Sequence, residues 1–165
     1  MKAGGISLIS LITVLFCIGF YIPGCIDVKQ NITSPLKKAA DAPTVQLAEE
    51  RLNHAIKTIE KRGLTKGSTH VLYRTDETDL GIWYNQLVET RNQLESVNPN
   101  SLTLLEESNL LMKVRETIVD QSDGDIVVTT PPRIITFPYH VPYAIVSFIS
   151  FIALMIFGAI YIESY

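Results

Sequence analysis

The stretch that decides the fold is 142-PYAIVSFISFIALMIFGAIYI-162, which contains no Asp, Glu, Lys, Arg or His. A second run of this kind, Ile6–Ile22, lies at the other end of the chain. A helix rises 1.5 Å per residue, so about 20 apolar residues cross a hydrocarbon core that is roughly 30 Å thick. The two runs therefore predict two transmembrane helices, at 1–25 and 141–165, with one polar domain between them.

The N-terminal run allows three interpretations. Lys2 followed by an apolar stretch is also typical of a secretory signal peptide. The tetrapeptide Ile22–Cys25 resembles a bacterial lipobox, in which Cys25 is lipidated after cleavage. We prefer an uncleaved signal-anchor, because Pro23 departs from the usual lipobox pattern. All three interpretations place the middle domain outside the cytosol, in a periplasm or lumen.

The charge balance argues against nucleic-acid binding. The chain has 14 basic and 17 acidic residues and a formal net charge of −3. Nucleic-acid interfaces usually need a clustered basic face. Small residues that favour close packing of membrane helices lie on one face of each run: Ser10, Thr13 and Cys17 in the first, and Ser147, Ser150 and Ala153 in the second. The expected partners are therefore the lipid bilayer and a protein, either a different one or a second copy.

No catalytic, cofactor or metal signature stands out in the sequence. The three histidines, His54, His70 and His140, are scattered without metal-ligand spacing. Cys17 and Cys25 belong to the first run and its end, so a bond between them is not expected. We find no nucleophile elbow and no phosphate-binding glycine loop. The sequence thus predicts a protein that is not an enzyme and holds no cofactor.

Between the runs, apolar residues at helical spacing predict an antiparallel three-helix domain over 41–121. The helices are expected at about 41–62, 76–98 and 101–121, with Asp41 and Asp76 near the first two helix starts. Their apolar stripes are Val45, Ala48, Leu52, Ala55, Ile56 and Ile59; Leu80, Trp83, Leu87, Leu94 and Val97; and Leu104, Leu105, Leu111, Met112, Val114, Ile118 and Val119. The predicted fold class is mainly α.

Two polar segments flank this domain. Residues 26–40, with Pro35 and a lysine pair, are expected to form a linker. Residues 122–140 are rich in β-branched residues and proline, and are expected to be extended before the second span. A short strand pairing between the regions around Val71 and Val127 is a further option.

The most unusual local sequence is Tyr73–Tyr84, which places three carboxylates, an arginine and three aromatic residues within a dozen positions. One interpretation is a partner or ligand surface; its candidate residues are Tyr73, Arg74, Asp76, Asp79, Trp83 and Tyr84. The other interpretation is a capped helix start with an aromatic plug. In that case Trp83 belongs to the core, on the same stripe as Leu80 and Leu87.

Residues 72–84 and 109–117, together with the apolar start, resemble a group of uncharacterised small two-span membrane proteins seen in cyanobacteria. The resemblance covers most of the chain. It implies a membrane location but no activity, so no functional residue follows from it.

The sequence favours a non-enzymatic integral membrane protein. Its helical extracytoplasmic domain would mediate protein–protein interaction or spacing at the membrane. The alternative is a ligand-binding sensor module, since a span, a helical bundle and a second span also make up the sensory half of bacterial chemoreceptors. Such a module would signal through a separate subunit.

Overall fold

The computed structural model of the chain is mainly helical, with a small antiparallel strand pair. It describes residues 11, 13, 15, 18, 19, 21–70, 73–98, 101–122 and 125–163. The chain divides into two compact units. One comprises Met1–Ile26 with Ile135–Tyr165, and the other comprises Asp27–Ile134.

The unit Asp27–Ile134 is built around helix α2. In chain order, its elements are a π-helical turn at Lys29–Thr33, helices α1 (Ser34–Ala40), α2 (Val45–Lys61), α3 (Leu80–Glu95) and α4 (Leu104–Ile118), and strands β1 (Val119–Ser122) and β2 (Asp125–Val128). Helix α2 packs against α1, α3 and α4, and α1 also packs against α4. All six apolar side chains of the predicted α2 stripe are buried. This stripe is confirmed as the centre of the core.

The start of α2 is set by a threonine. The predicted start at Asp41 is wrong, because the helix begins at Val45. Thr44 has extended backbone, and its hydroxyl accepts a hydrogen bond from the N–H of Leu47 at 3.4 Å. Asp41 follows α1 and forms an ion pair with Arg115 of α4 at 3.6 Å.

The end of α2 is set by a glycine. Gly63 has a φ of 69°, in the left-handed region that residues without a Cβ adopt readily. The N–H groups of Gly63 and Leu64 donate to the carbonyl oxygens of Glu60 and Ile59 at 2.9 and 3.0 Å, respectively. Leu64 and Ile59 are both buried, so the turn also closes over the core.

The prediction of a linker over 26–40 is wrong. Residues 27–40 are helical, and Ile32 and Leu36 have no exposed surface. Pro35 is the second residue of α1, directly after the π-helical turn Lys29–Thr33. The sequence pattern of this segment is weak, because its only fully buried large apolar residues are two, Ile32 and Leu36, four positions apart. Burial against α2 decides its structure.

Helix α3 begins later than the sequence predicts. Asp76–Thr78 form a single 3₁₀ turn, and α3 starts at Leu80. Asp79 is its N-cap, because one carboxylate oxygen accepts from the N–H groups of Gly81 and Ile82 at 2.7 and 3.2 Å, respectively. The predicted stripe is otherwise confirmed: Leu80, Trp83, Leu87 and Leu94 are buried, and Val97 is half-buried.

Helix α4 ends earlier than predicted, because residues 119–122 form β1 instead of a last helical turn. β1 pairs with β2 in antiparallel register, from Val119 opposite Val128 to Ser122 opposite Asp125. The pairing considered between the Val71 and Val127 regions is not the one observed, since Val127 lies opposite Asp120. Residue 71 itself falls outside the described residues. The connection between β1 and β2 has two residues, whereas pairing of the Val71 and Val127 regions would close a loop of more than 50 residues. The shorter loop costs far less conformational entropy.

The unit Met1–Ile26 with Ile135–Tyr165 contains helix α5, which spans His140–Glu163, and helical residues 21–26. A Cβ at Gly24 would lie 2.9 Å from Cγ2 of Ile135, so a larger residue here would require the Ile135 side chain to shift. The helix predicted over the second apolar run is confirmed. Most of the first run, 6–22, falls outside the described residues. Among the described residues, which leave out most of the first run and several side chains of the second, no helix meets both the length and the apolarity required to cross a membrane.

Candidate functional site

The residues predicted as a partner surface range from exposed to buried. The Trp83 side chain is only 6% exposed, and its indole N–H donates to the carbonyl oxygen of Thr129 at 3.0 Å. Asp79 is occupied as the cap of α3. The burial of Trp83 confirms the prediction that it belongs to the core.

Tyr73 and Arg74 are exposed, just before the 3₁₀ turn. The Tyr73 ring lies next to the His70 ring, with centroids 4.7 Å apart and planes tilted by 54°. The backbone around them is held by Thr75 and Thr78, whose side chains and N–H groups form a reciprocal capping box. These two predicted residues therefore border the start of α3.

Tyr84 faces helix α2. Its hydroxyl donates to Oε1 of Glu60 at 2.7 Å. This hydrogen bond raises the pKa of Tyr84 above its ordinary value of 10.0, because it is made by the protonated phenol; partial burial and the negative charge of Glu60 act in the same direction. Tyr84 thus links α3 to α2.

Asp76 and Trp83 line a groove of about 590 Å³ between the start of α3 and the chain from β2 onward. We call it the acidic groove. Its lining residues are Asp76, Glu77, Ile82, Trp83, Gln86, Asp120, Val127, Val128, Thr129, Thr130, Pro131 and Pro132. Ile82 and Val127 are 41% and 50% exposed, so they present apolar surface to the opening.

The acidic groove carries one sign of charge. Asp76, Glu77 and Asp120 line it, and none of its described lining residues is Lys, Arg or His. Side chains of Ile82, Trp83, Val127, Val128, Pro131 and Pro132 supply its apolar part. A groove of this kind suits an occupant that combines apolar groups with a positive charge.

Of the residues that line the acidic groove, only Asp76 and Trp83 were predicted as candidate site residues. Asp120 and the segment 127–132 belong to the hairpin and its continuation, which were predicted to be a helix end and a linker. The Pro131–Pro132 pair is the one sequence signal for a rigid, non-helical wall here. Nothing in the sequence places that wall against Trp83, since Trp83 and Thr129 are 46 residues apart.

No protein-family model, curated protein or solved structure matches this chain. The resemblance of residues 72–84 and 109–117 to cyanobacterial membrane proteins stays a prediction.

Helix α4 presents a second unusual surface. Of its predicted apolar stripe, Val114 and Ile118 are buried, whereas Leu104, Leu105 and Met112 are 85%, 71% and 57% exposed. The predicted apolar stripe of α4 is therefore only partly buried. These three side chains lie within about 100° of one another around the helix axis. Large apolar side chains grouped in this way are typical of an interaction surface.

Cys25 and the carboxylates give no evidence of a metal centre. Cys25 is a half-buried free thiol within helical residues. Among the described residues, no three His, Cys, Asp or Glu side chains are grouped closely enough to hold a metal ion. Lipidation of Cys25 stays an alternative that follows from the sequence.

Proposed function

We propose that this chain is a non-enzymatic, membrane-anchored protein whose unit 27–134 binds a partner protein. The observation that carries the proposal is the acidic groove. Its apolar floor and three carboxylates match a partner segment that presents apolar side chains together with Lys or Arg. Opposite charges speed association and select the partner, and burial of the apolar groups supplies most of the affinity.

The exposed apolar side of α4 supports a role in binding. Covering Leu104, Leu105 and Met112 with another surface would remove their apolar area from water. This burial is favourable by roughly 25 cal/mol for each Å². The lining of the acidic groove also suits binding more than catalysis. No Lys, His or Cys stands beside its carboxylates among the described residues.

The membrane anchor is supported by the sequence of the two apolar runs. Helix α5 contains the second run and has 24 residues, about 36 Å of helix at 1.5 Å per residue. The unit 27–134 would lie outside the cytosol. Protease added to right-side-out vesicles should then cut near Lys61, which is exposed. Cleavage only in inverted vesicles would reverse the orientation.

Site-specific photo-cross-linking tests the binding role of the acidic groove. A photoreactive phenylalanine replaces Ile82, which lines the groove, in the full-length protein in its native membrane. We expect one protein adduct, whose cross-linked peptide contains Lys or Arg beside apolar residues. The same residue at Ser96, exposed after the far end of α3, should give no such adduct.

A charge-matched pair of variants makes this test specific. Asp76→Asn with Asp120→Asn should abolish the adduct, whereas Glu49→Gln with Glu50→Gln, on α2, should leave it unchanged. An adduct that survives the groove variant shows that the groove does not select the partner. A different outcome is that cross-linking captures no protein, while native mass spectrometry finds a small cationic molecule bound to the parent and absent from the groove variant. That result would replace the proposal by the sensor alternative.

A further inference from the structure

A second cleft carries mainly positive charge. It is formed by α1, the connection 41–44 and the start of α2, and its volume is about 400 Å³. We call it the basic cleft. Its lining residues are Ser34, Lys37, Lys38, Asp41, Ala42, Pro43, Leu47 and Arg51. None of these residues belongs to the acidic groove.

Three cations line the basic cleft, together with one carboxylate. That carboxylate, on Asp41, already faces Arg115 at 3.6 Å. Across the described part of the chain, no ion pair involves Lys37, Lys38 or Arg51. Glu49 and Glu50 lie with Arg51 along a neighbouring face of α2, outside this cleft. The basic cleft therefore holds an excess of positive charge.

Helix dipoles do not account for all three cations. Lys37 and Lys38 lie in the last turn of α1, where a positive charge is favourable in any protein. Arg51 lies in the second turn of α2, nearer the positive end of that helix, and it is half-buried. The N-terminus of α2 already has an anionic partner, because Oε1 of Glu107 accepts from the N–H of Val45 at 3.4 Å.

The basic cleft also has an apolar part. Ala42 is buried, Leu47 is half-buried, and the Pro43 ring completes this apolar part. A planar guanidinium binds two oxygens of a phosphate at once, and two lysines add point charges. The apolar part would cover carbon atoms attached to the phosphate. We propose that the basic cleft binds the phosphate of a phosphate ester with an apolar stem.

Two sources can supply this chemistry: a phospholipid headgroup and a soluble phosphate ester. Isothermal titration of the full-length protein in an uncharged maltoside detergent distinguishes them. The probes are dihexanoyl phosphatidic acid and glycerol 3-phosphate. Tighter binding of the phosphatidic acid supports a lipid headgroup, and equal binding supports a soluble ester. If neither probe binds at about 10 mM, the proposal is wrong.

The variant Lys37→Gln with Lys38→Gln and Arg51→Gln should weaken binding at least about tenfold, since each lost charge-assisted hydrogen bond weakens binding on that order. The matched control is Lys57→Gln with Lys61→Gln and Lys66→Gln, which removes three exposed charges outside the cleft. The control should retain binding. If it loses as much as the cleft variant, overall charge is responsible and the proposal is wrong.

Single variants keep the test valid if the triple variant does not fold. Arg51→Gln should weaken binding, and Arg51→Lys should restore part of it, because the charge returns without the planar fork. Circular dichroism should show that both variants keep the helical content of the parent. Binding that is unchanged in Arg51→Gln would overturn the proposal.

Discussion

The indole N–H of Trp83 donates to the carbonyl oxygen of Thr129 at 3.0 Å, and this hydrogen bond joins helix α3 to the segment after β2. Both residues line the acidic groove. The aromatic ring that fills the core therefore also fixes the distance between the two walls of the groove. Stability and the shape of the candidate site depend on the same side chain.

Replacing Trp83 by Ala should lower the free energy of unfolding by about 3–5 kcal/mol, as for other buried aromatic side chains. Trp83→Phe should cost less, because most of the packing remains while the hydrogen bond to Thr129 is lost. Urea unfolding of the full-length protein in detergent, followed by circular dichroism, measures both. Tyr73→Ala, at a 60% exposed position, should stay within about 0.5 kcal/mol of the parent. A parental midpoint for Trp83→Ala would contradict the burial of the ring.

Leu36→Ala should destabilise the protein by about 2–5 kcal/mol, because it opens a cavity where no surface is exposed. The neighbouring change Lys37→Ala should alter the free energy of unfolding by less than about 0.5 kcal/mol, since Lys37 is exposed. The same denaturation experiment measures both variants. Equal, small effects at the two positions would mean that 27–40 behaves as a linker after all.

Thr103→Ala should destabilise the protein by about 1 kcal/mol through loss of the α4 cap. The pKa of Glu106 lies below its ordinary value of 4.5, because the Thr103 hydroxyl and N–H donate to its carboxylate. Since the folded state has the lower pKa, this contribution is complete above pH 4.5 and is lost as the pH falls through the folded-state value.

Acid denaturation of Thr103→Ala and the parent therefore checks the capping box. The difference in stability between the two should shrink below pH 4.5. In a Glu106→Gln background, the effect of Thr103→Ala should no longer vary over that range. A difference that stays constant with pH in the parent background would show that the carboxylate is not engaged.

Tyr84 should ionise above its ordinary pKa of 10.0, because its hydroxyl donates to Glu60. Ultraviolet absorbance follows ionisation of the phenols during a pH titration, and Tyr84→Phe should remove a late-titrating group from the curve. Because the folded-state pKa is raised, the contribution to stability is complete below pH 10.0 and is lost as the pH rises through the folded-state value. Glu60→Gln should move the titration of Tyr84 back toward 10.0. An unchanged curve in Tyr84→Phe would exclude the raised pKa.

The protein should stay in the membrane pellet after an alkaline carbonate wash, because both apolar runs lack charged residues. The mature protein should retain residues 1–24, as expected for an uncleaved anchor. Intact-mass spectrometry measures this directly. A mature form that begins at a lipid-modified Cys25 would establish the lipoprotein alternative. Release of the protein by carbonate would contradict the proposed membrane anchor.

The acidic groove shows why only a few residues of the candidate site could be predicted from the sequence. Asp76 and Trp83 belong to a local sequence whose composition is unusual enough to notice. Asp120, Val127 and the Pro131–Pro132 pair have no such local signal. They reach the groove because β1 and β2 turn the chain back toward α3.

Sequence alone determined the interior of α2 and most of α3. Apolar residues at helical spacing predict which side chains share a face of the helix. Burial of Leu52, Ile56 and Trp83 follows from that spacing. It also determined the two charge-free runs, whose length relative to a bilayer needs no knowledge of the rest of the fold.

Only the tertiary structure decided whether each apolar face is covered. Leu104 and Leu105 have the same local pattern as buried residues of α2, yet no neighbouring element covers them in the described structure. Leu36, in a segment that looks like a linker, is fully buried because α1 packs on α2. Periodicity defines a face within one helix. Its burial depends on the free energy of contacts with segments far away in the chain, which local sequence does not specify.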